Sequence, residues 1–157
     1  MFCCSKDDIP TTLPPATQIG AGTFGCLVNG VPYVDNSGFF NCYYQLVGGE
    51  YYFGIGSDKE QAGLSQIIIG SNKRTIITNT SIELNENNDI EFYAEIKLKN
   101  VAGDFVTTNL EDGTIIFTRY DTNSNIVSAI FEFTIKIPTT GEIIKITQGR
   151  FDAKFTQ

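Results

Sequence analysis

The stretch IEFYAEIKL (residues 90–98) decides the fold, because apolar and polar side chains alternate along it without a break. Its even-numbered positions carry Ile, Phe, Ala, Ile and Leu, and its odd-numbered positions carry Glu, Tyr, Glu and Lys. Successive side chains of a β-strand point to opposite faces of the sheet. The pattern therefore predicts a strand with one buried face and one wet face, and residues 126–137 show it again over a longer run.

Turn signals separate this strand from many others. Asn29-Gly30 lies between two β-rich runs, and Gly48-Gly49 lies between two more. An Asn-Gly pair in this position predicts a tight hairpin. The sequence also predicts a strand at residues 74–80 and one helical turn at residues 58–63. About ten strands with hairpin spacing predict an antiparallel β-sandwich in residues 23–157, with a lipocalin-like closed barrel as the alternative.

A change of parity marks the last strand, at residues 142–155. Ile144 and Ile146 share one face, whereas Phe151 and Phe155 have the opposite parity. Because a slip of one residue moves every side chain to the other face, we expect a β-bulge at Gly149, between the two halves.

The composition limits the classes of function that the chain can serve. The 157 residues fit one domain, and the net charge is −7 with a pI of about 4.5. This charge argues against a nucleic acid partner, since phosphate binding needs a concentrated Lys/Arg surface. The chain has no histidine, which removes the usual general base near neutral pH and the commonest metal ligand. We therefore expect no enzyme, no catalytic residues, no cofactor and no metal.

Acidic residues supply two further candidate sites. Glu91, Glu95 and Glu132 occupy outward strand positions, where a carboxylate pair about 5–10 Å apart would suit a glycoside hydrolase; solvated sheet faces carry the same residues. Residues 121–125 (DTNSN) place oxygen ligands at alternate positions, as a calcium loop does, but Ile126 stands where that loop needs glycine. A turn rich in Asp, Asn and Ser explains the same letters.

Cys26 and Cys42 both lie inside predicted strands, and two interpretations remain open. A disulfide between them would close a loop of about 17 residues and stabilise the fold by roughly 3 kcal/mol. Alternatively, the two cysteines are buried free thiols that pack as small hydrophobic groups.

The densest aromatic run of the chain spans residues 39–53. Since neighbouring strand residues point to opposite faces, about half of these rings must look outward or towards a second layer. The run is either core on both sides or a platform for a sugar or a peptide. Tyr44 and Tyr52 are the candidate platform residues.

The chain opens MFCCSKDD and continues to residue 22 with a Pro- and Thr-rich stretch, which predicts a flexible tether over residues 1–22. A cysteine followed by small and charged residues resembles the start of a mature bacterial lipoprotein. CSKDD (residues 4–8) resembles the signal that sends lipoproteins of Bacteroidetes-type bacteria to the outer surface. LPPATQ (13–18), TFGCLVNG (23–30) and ITQGRFD (146–152) resemble a Bacteroidetes-type lipoprotein family, a domain of unknown function.

The resemblance implies a lipid attached to Cys4, with Cys3 as the alternative, and a lipid bilayer at the outer membrane or cell surface as one partner. A lipoprotein signal needs a basic and an apolar segment before that cysteine, so we expect Met1 to lie inside a longer signal peptide. The β-domain is then expected to be a binding module for a glycan or protein partner. The alternative is a structural cell-envelope protein with no small-molecule ligand, whose sheet edge pairs with another chain.

Overall fold

The computed structural model describes residues 12–157, which form eleven β-strands and no helix. The strands are β1 (Thr23–Val28), β2 (Val31–Asp35), β3 (Asn41–Val47), β4 (Glu50–Ser57), β5 (Leu64–Ser71), β6 (Ser81–Glu83), β7 (Phe92–Leu98), β8 (Phe105–Val106), β9 (Gly113–Asp121), β10 (Ile126–Lys136) and β11 (Ile143–Lys154).

Two sheets contain these strands. One has six strands in the order β2-β1-β11-β10-β9-β6, and the other has five in the order β3-β4-β5-β7-β8. Neighbouring strands run antiparallel in both sheets. The sheets do not close into a barrel. The predicted β-sandwich is therefore confirmed, and the barrel alternative is wrong.

Both predicted hairpin turns form. Asn29 and Gly30 have φ angles of 49° and 83°, and Gly48 and Gly49 have φ angles of 61° and 88°. Two successive residues with positive φ twist the chain in the sense that matches the flanking strands. The Asn-Gly and Gly-Gly pairs thus set the register of β1 with β2 and of β3 with β4.

The predicted bulge in β11 is also present. Phe131 faces Gly149 across the β10–β11 pair, but Phe133 faces Ile146, so the register shifts by one residue between them. Gln148 takes up the extra residue with a φ of 52°. The ring of Phe131 packs over Gly149, where a Cβ atom would lie 2.3 Å from two ring carbons. The bulge restores the inward direction of the apolar side chains that follow.

A single core fills the space between the sheets. Its centre is a set of buried phenylalanine rings contributed by both sheets, and Phe53 and Phe117 meet edge to face at 5.3 Å. The set comprises Phe24, Phe53, Phe92, Phe117, Phe131 and Phe151. Burial of one such side chain stabilises a fold by about 1.5–3 kcal/mol, so this set alone is a major contribution.

Residues 12–22 pack along the outer face of the six-stranded sheet, where the sequence predicted a flexible tether. The buried carboxylate of Asp152 holds them. It accepts hydrogen bonds from the Thr17 hydroxyl at 2.6 Å and from the backbone N–H groups of residues 19–21 at 2.7–3.1 Å. The Ser128 hydroxyl donates to the same carboxylate at 2.8 Å. This part of the predicted tether is therefore anchored to the domain.

The rest of that segment, residues 1–11, lies outside the described residues, and so do the predicted lipid attachment residues Cys4 and Cys3. Within residues 12–157, no helix is long and apolar enough to cross a membrane.

The edges of both sheets are covered or short. Along β2, the Val34 N–H donates to Gln61 Oε1 at 2.8 Å, and Gln61 Nε2 donates to the Val34 carbonyl at 2.9 Å, as a neighbouring strand would. Along β3, Thr156 bonds the backbone of Cys42 and Tyr44. At the opposite edges, β6 and β8 contain three and two residues. Such devices protect a sheet from pairing with another chain.

Candidate functional site: a tyrosine groove on the five-stranded sheet

A row of two tyrosines and two glycines crosses the outer face of the five-stranded sheet. Gly54 of β4 pairs with Gly70 of β5. On the flanking strands, Tyr43 of β3 pairs with Gly54 and Tyr93 of β7 pairs with Gly70. The glycines carry no side chain, so the middle of this face is open to the rings on either side.

Both tyrosines lean inward over the glycines. A Cβ atom on Gly54 would lie 2.5 Å from Cε1 and Cζ of Tyr43 and 2.6 Å from its hydroxyl, so the face of this ring covers the glycine. A Cβ atom on Gly70 would lie 2.8 Å from the Tyr93 hydroxyl and 2.9 Å from Cζ. The hydroxyl ends of the two side chains thus converge over the glycine pair, and the other face of each ring turns away from the sheet.

The convergence of the two rings also affects the ionisation of the Tyr93 phenol. Burial raises the pKa of Tyr93, and the nearby Tyr43 and Glu95 raise it further. The Tyr93 phenol is therefore neutral at physiological pH and able to donate and to accept a hydrogen bond.

A groove of about 250 Å³ runs beside these rings. Gly56 and the apolar side chain of Ile68 lie at its centre, in the next row of the sheet. We call it the tyrosine groove, and its lining is Asn41, Tyr43, Gly54, Ile55, Gly56, Asp58, Gln66, Ile68 and Tyr93. Apolar lining with a few convergent polar groups is typical of a ligand site.

Two polar side chains face each other at one side of the tyrosine groove. Gln66 Nε2 donates a hydrogen bond to Asp58 Oδ1. Since a carboxylate only accepts, this bond fixes which end of the Gln66 amide carries the NH₂ group. Gln66 Oε1 is buried and has no hydrogen-bond partner among residues 12–157. An unsatisfied buried acceptor costs free energy, and its burial keeps this oxygen out of direct contact with solvent.

Negative charge dominates around the tyrosine groove. Asp58 belongs to its lining, and Glu95 pairs with Ile68 in the adjacent strand. Burial raises the pKa of Glu95, the nearby Asp104 raises it further, and Lys97 opposes both effects. The Lys97 ammonium forms an ion pair with Asp104 at 3.5 Å. The cation of β7 is therefore already engaged by a carboxylate.

The structure corrects the aromatic platform predicted from the sequence. Tyr44 is only 4% exposed, because its ring faces the core, stacks on Tyr51 at 4.8 Å and receives a hydrogen bond from the Ile76 N–H at 3.2 Å. Tyr52 lies on the outer face and is half-buried, one row away from the tyrosine groove. The outward rings that meet are those of Tyr43 and Tyr93.

Cys26 and Cys42 are free thiols, so the disulfide interpretation is wrong for this structure and the free-thiol interpretation is correct. The first lies on β1 of the six-stranded sheet and the second on β3 of the five-stranded sheet. Burial raises the pKa of each thiol to about 12, opposed at Cys26 by the Arg150 charge. Both side chains pack as small hydrophobic groups in the core.

The acidic candidates do not assemble. Glu95 and Glu132 lie on opposite outer faces of the sandwich, since β7 and β10 belong to different sheets. Asp121 forms a turn with its own neighbours: it accepts hydrogen bonds from the Ser124 hydroxyl at 2.6 Å and from the Asn123 N–H at 2.9 Å. These bonds, with one from Arg119, hold the pKa of Asp121 well below its usual range. Within the described chain, no group of three or more Cys, Asp or Glu residues could hold a metal ion.

Three other cavities differ in character from the tyrosine groove. Two grooves, of about 310 and 240 Å³, share Thr114 and Glu132 on the outer face of the six-stranded sheet. The aromatic residues at these two grooves, Phe131 and Phe133, have rings buried in the core. A slot of about 170 Å³ opens at the sheet edge beside Tyr51. The tyrosine groove combines outward aromatic rings with polar acceptors.

Comparison of the chain with protein-family models, with curated proteins and with solved structures gave no match. We therefore infer the function from the geometry and chemistry of the tyrosine groove.

Proposed function

We propose that this domain is a glycan-binding module that holds a sugar in the tyrosine groove. The observation that carries the proposal is the row formed by Tyr43, Gly54, Gly70 and Tyr93, which presents two converging phenol rings on an open sheet face.

The chemistry of a sugar fits both parts of this surface. A pyranose ring has a face of C–H groups, which is attracted to the negative face of an aromatic ring. Its rim of hydroxyl groups needs hydrogen-bond partners. The Asp58 carboxylate and the amide of Asn41 lie along the tyrosine groove and can accept from such hydroxyls.

The sheet edges at β2 and β3 are covered. A sheet face therefore suits a binding partner better than a sheet edge does. A structural envelope protein that pairs through a sheet edge, the alternative function, would need an unpaired strand. The Gln61 amide occupies the edge of β2, and Thr156 occupies part of the edge of β3. The tyrosine groove, in contrast, is an open cavity that no part of residues 12–157 fills.

We further propose that a lipid on Cys4, with Cys3 as the alternative, attaches the protein to the outer membrane or cell surface. The support is the resemblance of residues 4–8 to a lipoprotein export signal. The intact mass of the native protein, extracted from membranes of its source cells, tests this. A diacylglycerol and an acyl chain on Cys4 or Cys3 are expected, and an unmodified chain starting at Met1 would contradict the proposal.

An array of immobilised neutral and acidic oligosaccharides tests the glycan-binding proposal. We expect the wild-type protein to bind a subset of the array. Tyr43→Ala and Tyr93→Ala should each weaken that binding by at least about tenfold, which corresponds to one lost aromatic contact.

Tyr52→Ala is the matched control, because it removes a tyrosine from the same outer face without touching the lining of the tyrosine groove. Its binding should stay within about twofold of the wild type. Equal losses in all three variants, or no binding to any sugar by the wild type, would contradict the proposal.

A further inference from the structure

We infer that the tyrosine groove selects neutral glycans over anionic ones, and that Asp58 is the residue that sets this selectivity. The inference rests on the proposed function, since it names the class of sugar that the same site takes.

The first argument is the position of the Asp58 carboxylate. Asp58 follows β4 and belongs to the lining of the tyrosine groove, opposite Gln66 in the sheet register. One of its oxygens accepts from Gln66 Nε2, which leaves the other free to accept from a ligand. A carboxylate or sulfate of a bound sugar would therefore lie within a few ångströms of a like charge.

The second argument is that the Asp58–Gln66 pair presents acceptors. The hydrogen bond to Asp58 engages the Gln66 NH₂ group, the only donor of this pair, so the group that remains for the ligand is the Asp58 carboxylate. An anionic group has no proton to donate to either residue, whereas a sugar hydroxyl does. The Asp58–Gln66 pair therefore strengthens binding of a sugar hydroxyl and weakens binding of a sugar carboxylate.

The third argument is that β7, the strand beside Gln66 and Ile68, adds negative charge to this face and that the cation of β7, Lys97, is paired. Glu95 adds a second carboxylate in the adjacent strand, and the Lys97 ammonium is paired with Asp104 at 3.5 Å. Burial raises the pKa of Glu95, the nearby Asp104 carboxylate raises it further, and Lys97 lowers it. A like charge at this range in a partly solvated groove weakens binding by about tenfold.

The experiment compares each neutral oligosaccharide that binds with its uronic acid counterpart, for the wild type and for Asp58→Asn. Asparagine has the shape of aspartate and can still accept from Gln66, so the variant removes the charge and keeps the hydrogen bond. Glu50→Gln is the control, because Glu50 is an exposed carboxylate on the outer face of β4 that lies outside the lining of the tyrosine groove and forms no ion pair within residues 12–157.

We expect the wild type to prefer the neutral sugar by about tenfold or more, and Asp58→Asn to reduce that preference at least fivefold while Glu50→Gln changes it less than twofold. Binding of neutral and acidic sugars with equal affinity by the wild type would overturn the selectivity and leave the glycan-binding function standing. An equal effect of the two variants would overturn the role of Asp58. Binding of no sugar at all would overturn both proposals.

Discussion

The ring of Tyr43 covers Gly54 so closely that a methyl group on this glycine would lie 2.5 Å from two ring carbons. The two residues face each other across the β3–β4 pair, so the contact depends on the sheet register and not on proximity in the chain. The absence of a side chain at residue 54 therefore determines where the ring of residue 43 lies.

Gly54→Ala should displace the Tyr43 ring and destabilise the fold by about 1–3 kcal/mol, as overpacking of a tight contact does. Denaturant unfolding measures the change. Gly56→Ala is the control, since its Cβ atom would meet Ile68 at an ordinary 3.4 Å. In a Tyr43→Ala background the Gly54→Ala substitution should cost much less, and additive effects in that double-mutant cycle would argue against the contact.

Asp152→Asn should release residues 12–22 from the six-stranded sheet. The variant places an NH₂ group where backbone N–H donors now point, so at least about 2 kcal/mol of stability should be lost. Hydrogen exchange of the amides of residues 19–21, which bond the carboxylate, should speed up more than that of the core strands. Unchanged protection of these three amides would show that Asp152 does not hold the segment.

The same carboxyl makes stability depend on pH. Burial tends to raise the pKa of Asp152, but hydrogen bonds from Thr17, the Ile19 N–H, Ser128 and the Gly20 N–H outweigh it and hold the pKa below its usual range. A carboxyl with a lower pKa in the folded state stabilises the fold above its unfolded pKa of about 3.9, and this contribution disappears as the pH falls through the folded pKa. The melting temperature of the wild type should therefore fall more steeply below about pH 4 than that of Asp152→Asn. Parallel curves would contradict this assignment.

Gln61→Ala should uncover the edge of β2. Loss of the two hydrogen bonds to Val34 should cost about 1–2 kcal/mol, and the exposed edge should promote self-association. Sedimentation velocity and denaturant unfolding measure the two effects. Gln45→Ala, which removes an exposed glutamine from β3, should change neither. A Gln61→Ala protein that stays monomeric with unchanged stability would show that the side chain does not protect this edge.

The buried thiols give a prediction about reactivity. Because burial raises the pKa of Cys26 and Cys42 to about 12, neither forms the reactive thiolate at physiological pH. Iodoacetamide should leave both unmodified in the native protein and label both in concentrated guanidinium. Peptide mass spectrometry distinguishes these two residues from Cys3 and Cys4. A peptide that links Cys26 to Cys42 would restore the disulfide interpretation.

Local patterns in the sequence were sufficient to predict most strands and both hairpins. Alternation and the Asn29-Gly30 pair act over a few residues, and the structure confirms the hairpin and the strand from Phe92 to Leu98. Ile90, which alternation placed on the buried face, precedes β7 and is 64% exposed. The strand expected at residues 74–80 is absent except for an isolated bridge at Thr78, because the Ile76 N–H bonds to the distant Tyr44 hydroxyl. Residues 58–63 contain no helical turn.

The site was harder to predict because it depends on contacts across strands. Tyr43 and Tyr44 are adjacent in the chain, and only the sheet register shows which of the two faces outward. Tyr93 was already placed on the wet face by alternation, but its partner Gly70 lies on β5, and the chain passes through β6 of the other sheet before it reaches β7. The anchoring of residues 12–22 likewise depends on Asp152, at the far end of the chain. Glycines at outward positions of two neighbouring strands, Gly54 in β4 and Gly70 in β5, are the signal that sequence reasoning missed.

Chemical-shift mapping tests the central claim, a glycan site at the tyrosine groove, most directly. The neutral oligosaccharide with the strongest array signal is titrated into ¹⁵N-labelled protein. We expect the largest shifts at the amides of Tyr43, Gly54, Gly56, Gly70 and Tyr93. Shifts confined to the six-stranded sheet, around Ile116, Ile130 and Arg150, would place the site on the opposite face and contradict the account.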